Sequence, residues 1–171
     1  MPGPMALPYH ISTLLYAFDP QDQVLLLHRA QEPNQGCWSP CGGKLHTASG
    51  ESPYACACRE AAEELNLPLA CSDLHLTGII SECGYQGQAH WLMFLFEIKT
   101  KLEHLPPDHR EGRFQFFPRE RLPDLALPKS DREQIWPLFW QHRHGFFAAH
   151  CRCHRDGRWH WTLEESRPAH A

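Results

Sequence analysis

The sequence predicts a single α+β domain: strands interleaved with two helices, closed by a C-terminal β-hairpin. Three observations lead there. Short apolar runs of strand length recur along the chain. Two segments instead carry helical periodicity. Near the end, Asp156-Gly157 stands between two strand-like runs, and that dipeptide favours a tight hairpin turn. At 171 residues the chain is about one domain long, enough for a proper core.

The elements follow in order. Residues 1–8 are expected to be an N-terminal extension, 9–164 the domain, and 165–171 a loose tail. Ile11–Phe18 and Val24–Arg29 read as strands around the turn Asp19-Pro20-Gln21-Asp22. A helix is expected to follow Ser52, a good N-cap, with Pro53 as its first residue. Leu74–Glu82 and Trp91–Lys99 are strands divided by a Gly84/Gly87 turn, and Arg113–Phe117 is another. Asp131 to about His144 is the second helix, with Ile135, Leu138, Phe139 and His142 on one side. Phe146–His154 and Arg158–Leu163 form the closing hairpin.

The first helix carries the chemistry. At about 100° per residue, Tyr54, Cys58, Ala61 and Leu65 share one stripe, the expected packing face. Glu60 and Glu64 share a neighbouring face, with Glu63 further round. Like charges at these spacings repel by a few tenths of a kcal/mol unless a cation sits among them. Acidic helix faces are ordinarily solvated surface. Here, however, Gly42-Gly43-Lys44 and Gly50-Glu51 precede the helix, so the backbone can approach a ligand closely. Magnesium prefers hard oxygen ligands and is usually held by one or two carboxylates plus substrate phosphates.

The stretch resembles the Nudix hydrolase signature, G-x5-E-x7-R-E-U-x-E-E-x-G-U, where U is bulky and apolar. Glu51, Arg59, Glu60, Glu63, Glu64 and Leu67 match in register. The loop Leu45–Gly50 is two residues longer than the pattern, Ala61 is small where bulk is usual, and Asn66 replaces a glycine. Asparagine tolerates the left-handed backbone such a position needs. The resemblance implies an α/β/α sandwich, with a mixed β-sheet between helices. It also implies a Mg2+ cofactor (Mn2+ as the alternative), held by Glu60 and Glu64 with Glu63 as third ligand or general base. A loop carbonyl, which maps to Gly42, and a glutamate outside the box, for which Glu111 is the candidate, would complete the set. Arg59 would orient the glutamates, with Glu51 as one partner.

The C-terminal segments Trp136-Pro137-Leu138, Gly145-Phe146-Phe147 and Trp161-Thr162-Leu163-Glu164 are similar to MutT-like oxidised-purine nucleoside triphosphatases. That likeness implies a purine triphosphate substrate, cleaved to monophosphate and pyrophosphate. Candidate substrate contacts are Arg29, Gly43 and Lys44 for phosphates, with Trp38, Ser39, Trp91 and Asp131 for the nucleoside. The pattern departs at Ser39, where an asparagine is usual. It departs again at Glu82 and Gly84, which stand at base-stacking positions and cannot stack. Two other readings stay open: hydrolysis of dinucleoside polyphosphates or nucleotide sugars, and nucleotide sensing without hydrolysis.

A net charge of −4 gives no broad basic field for nucleic acid polymers. No apolar run reaches membrane-span length, and the N-terminus lacks a secretion signal's pattern. The expectation is a cytoplasmic protein, monomer or homodimer. Its eight cysteines lack any C-x-x-C pair and are expected to be free thiols.

Overall fold

The structure, a computed structural model, describes residues 6–170, so most of the expected N-terminal extension lies outside the described residues. Its strands are β1 (Tyr9–Tyr16), β2 (Val24–Arg29), β3 (Trp38–Ser39), β4 (Cys41–Lys44), β5 (Leu74–Tyr85), β6 (Ala89–Ile98), β7 (Gly112–Phe117), β8 (Phe146–Cys153) and β9 (Trp159–Arg167). The helices are α1 (Pro53–Leu65) and α2 (Trp136–His142). Six strands form one mixed sheet in the order β4-β1-β6-β5-β8-β9, with β1–β6 and β5–β8 parallel. A smaller antiparallel sheet runs β3-β2-β7.

Alternation along the strands creates the sandwich. Leu15, Ala17, Phe96 and Ile98 turn towards Ala57, Ala61 and Leu65 of α1. Their neighbours Tyr16 and Leu95, with Ile80 and Phe147, turn towards Ile135, Trp136 and Phe139 at α2. Tyr16 stacks on Phe139 with ring centroids 4.1 Å apart. The smaller sheet feeds both cores, Leu26 and Phe117 to one and Leu25 and Phe114 to the other. Among the described residues no helix is long and apolar enough to cross a membrane.

Three sequence expectations are corrected. The second helix opens as a π turn over Asp131–Ile135 before α2 begins. Pro137 accounts for this, because its ring clashes with the carbonyl four residues back in a regular α-helix. The helix also stops at His142, and His144 adopts a left-handed φ of 65°. Finally, the loose tail does not begin at 165. Glu165, Ser166 and Arg167 remain paired with Ala148, Phe147 and Phe146, after a register shift at Ala148/Ala149. Ser166 Oγ lies 2.7 Å from Nε2 of fully buried His142, whose Nδ1 donates to the Leu138 carbonyl.

The cysteines are all free thiols. On β8, Cys151 and Cys153 share one face, their sulfurs 3.8 Å apart, while His150 bonds Ser81 Oγ at 2.7 Å.

Because β9 is anchored through Ser166, Ser166→Ala should destabilise the fold by about 1–3 kcal/mol, the usual penalty for a buried group left unpaired. Urea unfolding measures this; an unchanged midpoint would show that the strand end carries no load.

Candidate active site

Local sequence sets α1 where it must be. The Ser52 hydroxyl accepts from the Ala55 amide at 3.1 Å, and Pro53 occupies the first turn. Asn66 ends the helix at a left-handed φ of 52°, in the slot the signature gives to glycine. The two extra residues of the preceding loop are taken up by a 3-10 turn over Thr47–Ser49.

The inward face of α1 is broader than the expected stripe: Ala61 and Leu65 are in it, Cys58 packs against the same core and Tyr54 meets Phe96 edge-on at 4.7 Å, but the face also takes in two glutamates. Its buried residues are Cys56, Ala57, Glu60, Ala61, Glu64 and Leu65, whereas Tyr54 is exposed and Cys58 half-buried. The small side chains of Ala57 and Ala61 let the helix lie close to the sheet, which draws both glutamates inward. Glu60 is 8 % exposed and Glu64 5 %. Gly43 makes room for Glu60, since a Cβ there would collide with the carboxylate. Gly42, at φ 144°, lies so close to Thr13 that a Cβ would strike its carbonyl.

Arg59 is the hub. Its guanidinium donates to both oxygens of Glu51, at 2.7 and 3.0 Å, and to Glu60 Oε1 at 2.7 Å. A further bond reaches the Lys44 carbonyl at 3.2 Å. Arg59 holds the Glu51 carboxyl down at about 2. Glu63 stands apart, 3.4 Å from Arg59 with more than half its side chain exposed. Glu64 behaves oppositely to Glu51. Burial first, then the charges of Glu60 and Glu111, push its carboxyl up to about 8, partly offset by the Gly42 amide. Its Oε2 is buried with no hydrogen-bond partner.

The structure therefore buries Glu60 and Glu64 on the same face of α1, with the charge of Glu111 felt at Glu64 and Glu63 on the rim. Among the described residues no three His, Cys, Asp or Glu side chains already stand in a metal-coordinating group. A buried, partnerless carboxylate oxygen beside a second buried carboxylate nonetheless fits a hard divalent cation that takes oxygen ligands.

The remaining expected residues are dispersed. Lys44 Nζ lies 5.3 Å from the ring centre of half-buried Trp91, which also meets His10 at 4.8 Å. Ser39 is buried and its hydroxyl has no partner. Trp38 is a packing residue, edge-on to Phe117 at 4.7 Å and beside His28 at 4.8 Å. Arg29, at the end of β2, is tied to the loop that follows, its Nε donating to the Pro33 carbonyl at 2.6 Å. Asp131 is half-buried at the start of the π turn, its carboxyl pushed up by burial to about 7. Two shallow surface hollows lie elsewhere, beside Asp19 and beside Trp140.

One residue was read in the sequence only as a stacking position that cannot stack. Glu82 on β5 is 6 % exposed, and burial followed by the charge of Asp131 pushes it up to about 7. The available signal was its phase, since it continues the inward series of Gly78 and Ile80 where an apolar residue belongs.

Glu64 also sets a pH dependence. Without a cation the folded protein resists its ionisation, so this contribution is complete below the free carboxylate value of ~4.3 and is lost as pH rises towards about 8. Metal-free Glu64→Gln should therefore melt higher than the parent at about pH 9 and equally at about pH 4. Magnesium should stabilise only the parent; thermal melts followed by circular dichroism check both.

Comparison with known proteins agrees with the fold. A profile of the NUDIX domain matches residues 8–139. Among solved structures, a MutT protein from Bacillus halodurans superposes with a TM-score of 0.70 at 23 % identity, covering 91 % of this chain and 97 % of its own. A MutT protein from Methanosarcina mazei Go1 gives 0.67 at 19 %, covering 82 % and 99 %. The NUDIX domain of NrtR from Shewanella oneidensis, solved with ADP ribose, gives 0.60 at 16 %, covering 78 % and 86 %. With the signature helix, its glycine-lined flank and this profile over most of its length, the chain belongs to the Nudix family of hydrolases.

Proposed function

We propose that the protein is a magnesium-dependent hydrolase of a diphosphate linkage, acting on a purine nucleoside triphosphate, oxidised or not, to give monophosphate and pyrophosphate. Manganese is the alternative ion. The observation that carries this reading is the buried carboxylate pair Glu60/Glu64, with one oxygen of Glu64 left without a partner.

A diphosphate is heavily negative and repels hydroxide, so hydrolysis demands charge neutralisation and an oriented water. The bound cation would supply that neutralisation. Glu60 and Glu64 would hold it, with Glu111 and the Gly42 backbone beside them. Arg59 is a positioning residue: steadied by Glu51, it donates directly to Glu60 and fixes that carboxylate against Gly43. Glu63, on the rim with more than half its side chain exposed and only a long 3.4 Å contact to Arg59, suits the role of general base, because a base needs access to water. Lys44 is placed to meet phosphate and Trp91 to support the nucleoside.

A second reading keeps the same apparatus but a different leaving group, a nucleotide sugar or dinucleoside polyphosphate. The ADP ribose bound to the NrtR domain, a diphosphate-linked nucleotide on the same fold, favours keeping it. Sensing without hydrolysis is disfavoured by the full set of Arg59, Glu60, Glu63 and Glu64, which pure binding does not need.

A nucleotide panel with magnesium, scored by pyrophosphate release and product mass, separates these readings. Nucleoside monophosphate plus pyrophosphate is the expected result; binding with no product would point to a sensor. Glu60→Gln and Glu64→Gln should each lower kcat on the order of a hundredfold or more while the fold persists. Full magnesium-dependent turnover in both variants would refute the site.

A further inference from the structure

The register of the large sheet sets two thiols and an acid side by side. Glu82 of β5 is paired with Cys151 of β8, so both project to the same side, and Cys153, two residues further on, does so too. That side is the one packed under α2, since Ile80 and Ala149, in phase with them, belong to its core. It is the face opposite α1 and its glutamates. Cys83 is paired with Arg152 and projects the other way.

The sulfurs of Cys151 and Cys153 are 3.8 Å apart. Two thiolates held at about 2.3 Å from a zinc ion, at the tetrahedral angle, are themselves about 3.8 Å apart. A disulfide suits the pair less well. Residues two apart on a strand keep their Cα atoms roughly 6.6–6.8 Å apart, the upper limit for such a bond. Glu82 supplies a second observation. It is 6 % exposed and makes no side-chain hydrogen bond among the described residues, although a buried acid is costly unless something compensates it. The charges acting on Glu82, Cys151 and Cys153 are those of Asp131, Cys83 and one another, all of one sign. Burial first, then this crowding, pushes all three towards their neutral forms. The cluster is short of positive charge.

We propose that Cys151 and Cys153, joined by the carboxylate of Glu82, form a second metal site that takes a thiophilic dication, zinc in the first place. The three side chains do not already stand in a coordinating group, but the two sulfurs have the spacing. Glu82 needs only a side-chain rotation, which no hydrogen bond opposes. Binding releases the thiol protons, because thiolates are the ligands. Cys153 is half-buried and adjoins the β8–β9 turn, which gives the ion a way in. Oxygen ligands at Glu60 and Glu64 select a hard ion and thiolates a softer one, so magnesium does not compete here. This second site is independent of the hydrolase reading, and none of its readouts depends on turnover.

The test is titration of the full chain, reduced with a phosphine, with cobalt(II) as the spectroscopic substitute for zinc. A single ion should bind and give a sulfur-to-metal charge-transfer band, which zinc abolishes and excess magnesium leaves alone. Cys153→Ser should lower that band by about half and weaken zinc by at least about tenfold. Glu82→Gln should keep the band and weaken zinc roughly 10–100-fold. Cys71→Ser, at an exposed cysteine elsewhere, should match the parent. Circular dichroism checks that each variant is folded. A parent without the band, an undiminished band in folded Cys153→Ser, or parental zinc affinity in folded Glu82→Gln overturns the proposal. Loss of the band in Cys71→Ser overturns it too.

Discussion

The close approach of Glu60 to Gly43 is the constraint on which the site depends. A carboxylate can lie against the chain there only because residue 43 has no side chain, and it reaches that place only because Ala57 and Ala61 let α1 sit low on the sheet. Arg59 then fixes the carboxylate from the other side, itself steadied by a bidentate pair with Glu51. Two glycines, two alanines and one ion pair thus place a negative charge where packing alone would exclude it. The protein accepts the desolvation cost because buried charge attracts a cation more strongly than exposed charge.

The sheet divides the work between its faces. The face under α1 supports the carboxylates, while the opposite face bears Trp91, Glu82 and Trp161 beneath the segment that begins at Asp131. Strand β4, at one margin, joins the two: Gly43 contacts Glu60 and Lys44 reaches Trp91.

Much of this was legible in the sequence, and the reasons are local. Ser52, Pro53 and Asn66 mark the ends of α1 by their own backbone chemistry, and the structure keeps all three roles. The strands β2 and β7 and the hairpin of β8 and β9 follow from apolar runs and turn residues. What was not legible came from tertiary context. Apolar periodicity picked out Tyr54, Cys58, Ala61 and Leu65, all of which meet the core, but gave no sign that Glu60 and Glu64 are buried beside them. Trp38 looked available beside Ser39, yet Phe117 and His28 enclose it. Glu82 looked like a failed stacking position, because strand-by-strand reading does not reveal that the fold buries it.

Strand β4 is only four residues long and pairs with β1 on one side alone. Its outer border, Cys41 to Lys44, thus keeps main-chain N–H and C=O groups that no neighbouring strand consumes. A long border of that kind would invite adhesion between molecules. A four-residue one is too short to template another chain, and its outward groups are turned to the acidic cluster instead: the Lys44 carbonyl receives Arg59 and the Gly42 amide faces Glu64. The margin of the sheet is thereby capped by the same side chains that it positions.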